Sequence, residues 1–251
     1  MKYLVFSLSL YIVCACSTVS QNLSKQESPR TAQEWIDYSI NYHDPKNNWA
    51  KFKSQISSFS KVDRGGESLE ESTRNFSYNN KTSSFEMKMD IQEISLHIAI
   101  ANDDCQTIWE KIDISIEEQD KYIKDCKYGK NYRNYYRYLI GIPMVLKDES
   151  AIVNPTVEEE KINGKTYNKI TINYAPVNQN PTWEIFIDPM NGKLVRSKFI
   201  RYNEKNEVTG GEILDYPEHQ LFQGMQLRTK MVWYYLDDKF LADETYVYKI
   251  K

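Results

Sequence analysis

The residues best suited by type and spacing to acid–base chemistry are His43 and Asp44, which are adjacent and followed by Pro45. An Asp beside an imidazole can orient it as a general base. Adjacent side chains rarely orient each other in this way, however, and Asp before Pro is typical of a turn at the end of a helix. We therefore expect His43 to be structural. A hydrolase or lyase that uses His43 with a carboxylate is the alternative.

The histidines do not form a metal-binding pattern. His43, His97 and His219 are far apart in the sequence, and no H-x-x-x-H or C-x-x-C spacing occurs. The sequence also lacks a G-x-S-x-G elbow, a glycine-rich phosphate loop and βαβ alternation. These observations argue against the commonest hydrolase, nucleotide-binding and TIM-barrel classes. We expect no metal and no cofactor.

The first residues predict export and attachment of a lipid. Lys2 precedes an apolar segment, residues 3–13, that is too short to span a bilayer, so residues 1–15 are expected to be a cleaved signal. The signal ends in Val13-Cys14-Ala15-Cys16, which resembles a lipobox, because a small residue stands just before Cys16. Cys16 is therefore the predicted lipid attachment site and the predicted membrane anchor. Ordinary signal cleavage, with Cys16 incidental, is the alternative.

Residues 16–30 would be the lipidated N-terminus and a flexible tether, because Ser, Gln and Lys dominate and no apolar period appears. No acidic run follows Cys16, which favours the periplasmic side of the outer membrane over the cell surface. Export also permits disulfides, and Cys105 and Cys126 are the predicted pair. The bond would stabilise the fold by about 3 kcal/mol. Two separate thiols remain the alternative.

Aromatic residues are concentrated in the middle of the chain. Five tyrosines between Tyr128 and Tyr138 precede an apolar run, and together they exceed what one helix face needs to pack on a sheet. They could line a hydrophobic cavity, or they could be ordinary core. The candidate ligand-binding residues are Tyr135, Tyr138, Leu139, Met144 and Trp183.

The elements that would position these residues are mostly strands. A capping box from Thr31 to Glu34 predicts a helix that ends near Pro45. Period-two alternation predicts antiparallel strands from about 49 to 114, and the period lengthens over 115–148, which predicts one or two short helices. Beyond them, Asn163-Gly164 and Asn191-Gly192 predict type I′ hairpins within a strand-rich C-terminal half.

Composition agrees with a β-rich domain. Of 251 residues, 41% are hydrophobic and 13% aromatic, which suffices for a core and favours strands. We expect one domain over residues 31–251. The formal net charge of -3 argues against nucleic acid as a partner, because phosphates reward clustered Lys and Arg.

The sequence resembles a family of uncharacterised lipoproteins from Bacteroidetes, a domain-of-unknown-function family, over about residues 31–248. The resemblance rests on residues 42–45 with Trp49, on 138–144 with 146–148, on 211–213 and on 233–235. The chain departs from the family pattern at Glu149-Ser150, where proline and glycine are expected. The arrangement of elements is similar to that of the LolA/LolB lipoprotein carriers, in which a curved sheet wraps a helix around an acyl-binding cavity.

The predicted fold class is therefore α+β and mainly antiparallel β: a curved sheet or half-open, LolA-like barrel with a leading helix and one or two short inserted helices. The predicted function is that of a non-enzymatic envelope lipoprotein that binds an acyl chain or other hydrophobic ligand between sheet and helices. A packed scaffold for envelope proteins is a further alternative. An open apolar cavity would favour the carrier, a cleft at His43 the enzyme, and a filled interior the scaffold.

Overall fold

A computed structural model describes residues 31–65, 68–91, 94–101, 104–111, 125–148, 150–174 and 181–250. The predicted signal, Cys16 and the tether lie outside these residues. Within them, the α-helices are α1 (Ala32–His43) and α2 (Asp125–Gly141), and short 3₁₀ helices cover Trp49–Lys51 and Met144–Lys147. No helix in this part of the chain is long and apolar enough to cross a membrane.

The same residues contain twelve strands. They are β1 (Lys53–Val62), β2 (Glu70–Asn79), β3 (Ser84–Ile91), β4 (Ile94–Ala101), β5 (Asp104–Lys111), β6 (Ala151–Ile162), β7 (Lys165–Tyr174), β8 (Thr182–Ile187), β9 (Leu194–Tyr202), β10 (Val208–Phe222), β11 (Met225–Tyr235) and β12 (Phe240–Lys249).

The strands form one antiparallel sheet in the order β5-β4-β3-β2-β1-β12-β11-β10-β9-β8-β7-β6. The chain starts in the middle at β1 and winds outward to β5. It then passes through α2 to the opposite edge and winds back to β12, which pairs with β1. In the described residues the edge strands β5 and β6 do not pair with each other, so the curved sheet is not closed. The predicted fold class is confirmed, although a complete barrel is not formed.

Helix α1 begins and ends where its sequence predicts. The Thr31 side chain accepts a hydrogen bond from the Glu34 N–H, and the Glu34 carboxylate accepts one from the Thr31 N–H, which completes the capping box. One face of α1 is buried, as helical spacing requires; its buried residues are Ala32, Trp35, Ile36, Ser39, Ile40 and His43. The helix contacts β6, β11 and the second 3₁₀ helix.

Two hairpin predictions have different outcomes. Asn163 and Gly164 both have positive φ, 49° and 83°, as a type I′ turn demands, so the first is confirmed. The second is wrong in turn type, because Gly192 has positive φ and Asn191 does not. Asp188 and Lys193 instead close a longer loop, in which the Gly192 N–H donates to the Asp188 carbonyl. A Cβ on Gly192 would lie 3.0 Å from Tyr38 of α1, so packing against the helix shapes this loop.

The inserted helical region is present as predicted. Its described residues contain α2, a helix of 17 residues, and the 3₁₀ helix Met144–Lys147. Helix α2 ends at Gly141, where a Cβ would overlap the ring of Trp49, so this position requires glycine. Arg228 of β11 reaches the end of this helix and donates to the carbonyl oxygens of Leu139, at 2.8 Å, and Ile142. The last carbonyls of a helix lack partners within the helix, so this arginine joins α2 to the sheet.

Candidate functional site

The candidate site lies between α2 and the middle of the sheet. Successive tyrosines of α2 contact different strands, because positions three and four apart share a helix face and neighbouring positions do not. The Tyr136 ring lies 4.2 Å from that of Phe76 on β2, whereas the Tyr135 ring stacks on Trp233 of β11 at 6.4 Å. Further along, Tyr138 stacks on Trp183 of β8 at 6.0 Å. Helix α2 therefore spans the inner face of the sheet.

A cavity of about 330 Å³ lies beside this helix. We call it the tyrosine cavity; it is lined by Arg74, Asn131, Tyr132, Tyr135 and Tyr136. Tyr136 is 1% exposed and Tyr135 is 43% exposed, so the cavity extends from the packed interior to the surface. Small-molecule sites commonly measure 300–1,000 Å³ and are lined by aromatic side chains with few polar groups. The size and lining of this cavity match that description.

Arg74 connects the cavity to a buried carboxylate. Its Nη1 lies 3.4 Å from Oε1 of Glu244 and 3.5 Å from Oγ of Ser60. The Glu244 side chain is 5% exposed and that of Arg74 22%. Burial raises the pKa of the Glu244 carboxyl, and the charge of Arg74 opposes that rise. The polar end of the cavity is thus a partly buried ion pair with long bonds.

The structure separates the five predicted ligand-binding residues. Tyr135 lines the tyrosine cavity. Tyr138 and Trp183 stack on each other, and the Trp183 ring also lies 5.3 Å from that of Phe199. Leu139 and Met144 are each 2% exposed and belong to the hydrophobic core. Tyr135, Tyr138 and Trp183 therefore lie in aromatic contacts along α2, and Leu139 and Met144 lie in the hydrophobic core.

Sequence reasoning missed the polar end of the cavity. Arg74 lies on the same inward face of β2 as Phe76 and Tyr78. Glu244 likewise shares the inward face of β12 with Ala242 and Tyr246. A charged residue at an inward position of an alternating strand is unusual, because burying a charge is costly without a partner. The period-two pattern of these two strands could therefore have identified both charged residues from the sequence. It could not have predicted that Arg74 pairs with Glu244.

His43 is occupied by backbone bonds. Its Nε2 accepts a hydrogen bond from the Leu194 N–H at 3.1 Å, so Nδ1 carries the proton and donates to the Gln226 carbonyl at 2.9 Å. The residue is 1% exposed, and burial lowers its pKa to about 3. Asp44 turns away from the imidazole and accepts from the N–H groups of Asn48 and Trp49, as expected of a turn. This geometry differs from that of a general base oriented by a carboxylate.

The other two histidines lie on different strands, His219 on β10 and His97 on β4. His219 lies beside His43, and burial lowers its pKa to about 2. His97 lies on β4 and contacts Glu86 at 3.2 Å. Within the described residues, no three His, Cys, Asp or Glu side chains are grouped as a metal site would require.

The predicted disulfide stays a prediction. Cys105 is on β5, and its Sγ would lie 3.3 Å from a Cβ on Gly129 of α2. Cys126 is one turn before Gly129 in the same helix, and its side chain lies outside the described residues. Cys16 likewise lies outside the described part of the chain, so the lipid attachment is untested.

The fold and the cavity define the class of protein: an α+β domain whose curved, unclosed antiparallel sheet holds a long helix against its inner face. The chain belongs to the Family of unknown function (DUF6503), whose model matches residues 8–248. The expected membership of a family of unknown function is thereby confirmed.

Solved structures similar to this one include a DUF1329 family protein from Desulfovibrio piger. The two share 8% identity over 86% of this chain and 91% of that chain, with a TM-score of 0.49. Another is a LolA superfamily protein from Nitrosomonas europaea, with 10% identity, 89% and 94% coverage and a TM-score of 0.45. No curated protein matches this sequence.

Proposed function

We propose that this protein is a non-enzymatic cell-envelope lipoprotein that binds an acyl chain or another hydrophobic ligand between α2 and the sheet. The observation that carries the proposal is the tyrosine cavity, about 330 Å³ in volume. Three of its five lining residues are tyrosines of α2. Each methylene of a ligand that leaves water there contributes about 0.8 kcal/mol.

The rest of the interior limits where such a ligand binds. Below α1 and the end of α2 the space is filled by apolar side chains, including Ile36, Leu139 and Met144. A filled interior is the property expected of a packed scaffold, so that part of the molecule serves stability. The ligand is therefore assigned to the open side, beside Tyr132 and Tyr135.

The location follows from the sequence. A signal over residues 1–15 would export the chain, and a lipid on Cys16 would anchor it to a membrane. The tether, residues 17–30, would then hold the domain close to the bilayer on the periplasmic side of the outer membrane. Such a protein would meet apolar ligands where they enter or leave a membrane.

Two measurements test the proposal on the full chain carrying Cys16→Ser. Native mass spectrometry of protein purified from cells should reveal a co-purified amphiphile. Calorimetric titration with dodecanol should give saturable binding, weakened about 5-fold or more by Tyr135→Ala, which removes an aromatic wall of the cavity.

Tyr235→Ala is the matched control, because Tyr235 is also 43% exposed but lies at the end of β11, outside the set that lines the cavity. It should leave dodecanol binding unchanged. Absence of any bound amphiphile together with absence of dodecanol binding would refute the proposed function.

A further inference from the structure

We infer that the ligand of the tyrosine cavity carries a carboxylate head group, which Arg74 binds at the polar end of the cavity while the chain lies against the tyrosine rings. This inference rests on the proposed function and adds the chemical class of the ligand, a single-chain carboxylic acid.

The first argument is the incomplete bonding of Arg74. A guanidinium bound to a carboxylate in the usual way donates two parallel hydrogen bonds. Arg196 does so in this protein, with Nε and Nη2 at 2.5 and 2.9 Å from the two carboxylate oxygens of Asp215. Arg74 contacts Glu244 through Nη1 at 3.4 Å, and its buried Nε has no hydrogen-bond partner among the described residues.

An unpaired buried donor is costly, so the Nε–H of Arg74 needs an acceptor. The unpaired Nε belongs to a residue that lines the tyrosine cavity. A ligand carboxylate entering the cavity supplies that acceptor, and Arg is the side chain best suited to bind one through two bonds.

The second argument is the contrast between the two ends of the cavity. Among the described residues, the lining contains one cationic side chain, that of Arg74, together with three tyrosines and Asn131. Behind it, Glu244 and Ser60 are almost completely buried. An apolar chain end would be unfavourable against these polar groups, because it would remove them from water without forming hydrogen bonds to them. A polar head group on the ligand forms those hydrogen bonds.

Glu244 has a defined role in this arrangement. Its carboxylate competes with the ligand for the guanidinium, and burial already disfavours its charged form. Replacing Glu244 with Gln removes the competing charge and retains a side chain of the same shape. This variant should strengthen carboxylate binding, an effect that a purely structural ion pair would not produce.

The experiment compares dodecanoate with dodecanol, which have the same chain length, by calorimetric titration of the full chain carrying Cys16→Ser. Dodecanoate should bind about 10-fold more tightly than dodecanol, as expected for a charge-assisted bond in a partly buried site. Arg74→Gln should remove this preference by lowering dodecanoate affinity about 10-fold, to that of dodecanol, whereas Glu244→Gln should increase dodecanoate affinity relative to that of dodecanol.

Arg64→Gln is the control, because Arg64 lies just beyond β1 with its side chain 66% exposed; it should change neither affinity. If Arg74→Gln unfolds because Glu244 loses its partner, the double variant Arg74→Gln/Glu244→Gln carries the same expectation of equal binding. Equal affinities in the parent protein, or tighter binding of dodecylammonium, would overturn the inference and leave the proposed function standing. Failure of both ligands to bind would overturn both.

Discussion

The imidazole rings of His43 and His219 lie 5.3 Å apart, centre to centre, although one belongs to α1 and the other to the long strand β10. Burial is the main cause that lowers both pKa values, to about 3 and about 2, and the charge of Arg228 adds to it. Both rings are therefore neutral in the folded protein at neutral pH. They contribute to the packing between α1 and the sheet as uncharged groups.

This pair predicts a loss of stability in mild acid. Because the folded-state pKa values lie below the unfolded value of about 6.5, protons bind the unfolded chain preferentially as the pH falls below 6.5. The free energy of unfolding should fall between pH 6.5 and 5, with a slope for each histidine that approaches about 1.4 kcal/mol per pH unit at the acid end. Urea denaturation at pH 7, 6 and 5 measures this slope.

A variant assigns the slope to the buried rings. His219→Gln should make the slope shallower by about half. The carboxyl groups are the same in the variant and the parent protein, so their contribution to the pH dependence of the unfolding free energy cancels in the comparison. An identical slope in His219→Gln and the parent protein would contradict the prediction.

Arg228 should be among the most sensitive positions for stability. It is 1% exposed, bonds the carbonyl oxygens of Leu139 and Ile142, and lies 4.0 Å above the Tyr216 ring. Arg228→Met leaves these carbonyls without a donor and should lower the free energy of unfolding by about 2–5 kcal/mol, measured in urea. Arg201→Met, at a side chain 53% exposed, should change it by about 0.5 kcal/mol or less. Equal effects of the two variants would show that Arg228 does not hold α2.

Cys105 and Cys126 should be oxidised in the exported protein. Cys126 is one turn before Gly129 in α2, and the Sγ of Cys105 lies 3.3 Å from the position of a Cβ on Gly129. Alkylation of the unfolded protein without reductant should label neither cysteine, and mass spectrometry after reduction should show both labelled. The variant Cys105→Ser should expose one reactive thiol at Cys126. Two reactive thiols in the unreduced parent would mean that the cysteines are separate.

Cys16 should carry the lipid. Cys16→Ser should move the protein from the membrane fraction to the soluble fraction, because a multiply acylated cysteine is the anchor that residues 1–16 predict. Immunoblotting of separated fractions measures the shift. Cys14→Ser serves as the control and should stay with the membrane. Retention of the Cys16→Ser protein in the membrane fraction would reject the assignment.

The sequence by itself determined much of the local structure. The Thr31–Glu34 capping box, the type I′ turn at Asn163-Gly164 and the alternation along the strands depend on neighbouring residues, and these are visible in the sequence. The strand-dominated architecture followed from the same patterns, and the half-open form of the sheet was predicted from the resemblance to the LolA/LolB carriers. The turn type predicted at Asn191-Gly192 was wrong, because Tyr38, from a helix distant in the sequence, packs against this loop.

The candidate site was decided by the tertiary structure. Arg74 and Glu244 meet because β12 returns to pair with β1, next to β2, which is a pairing between the two ends of the domain. His43 and His219 meet for a similar reason, since α1 packs against strands that come late in the chain. Such contacts depend on how strands and helices that are distant in the sequence pack together. No local sequence pattern encodes them. The sequence therefore specified which residues face inward, and the fold specified which of them meet.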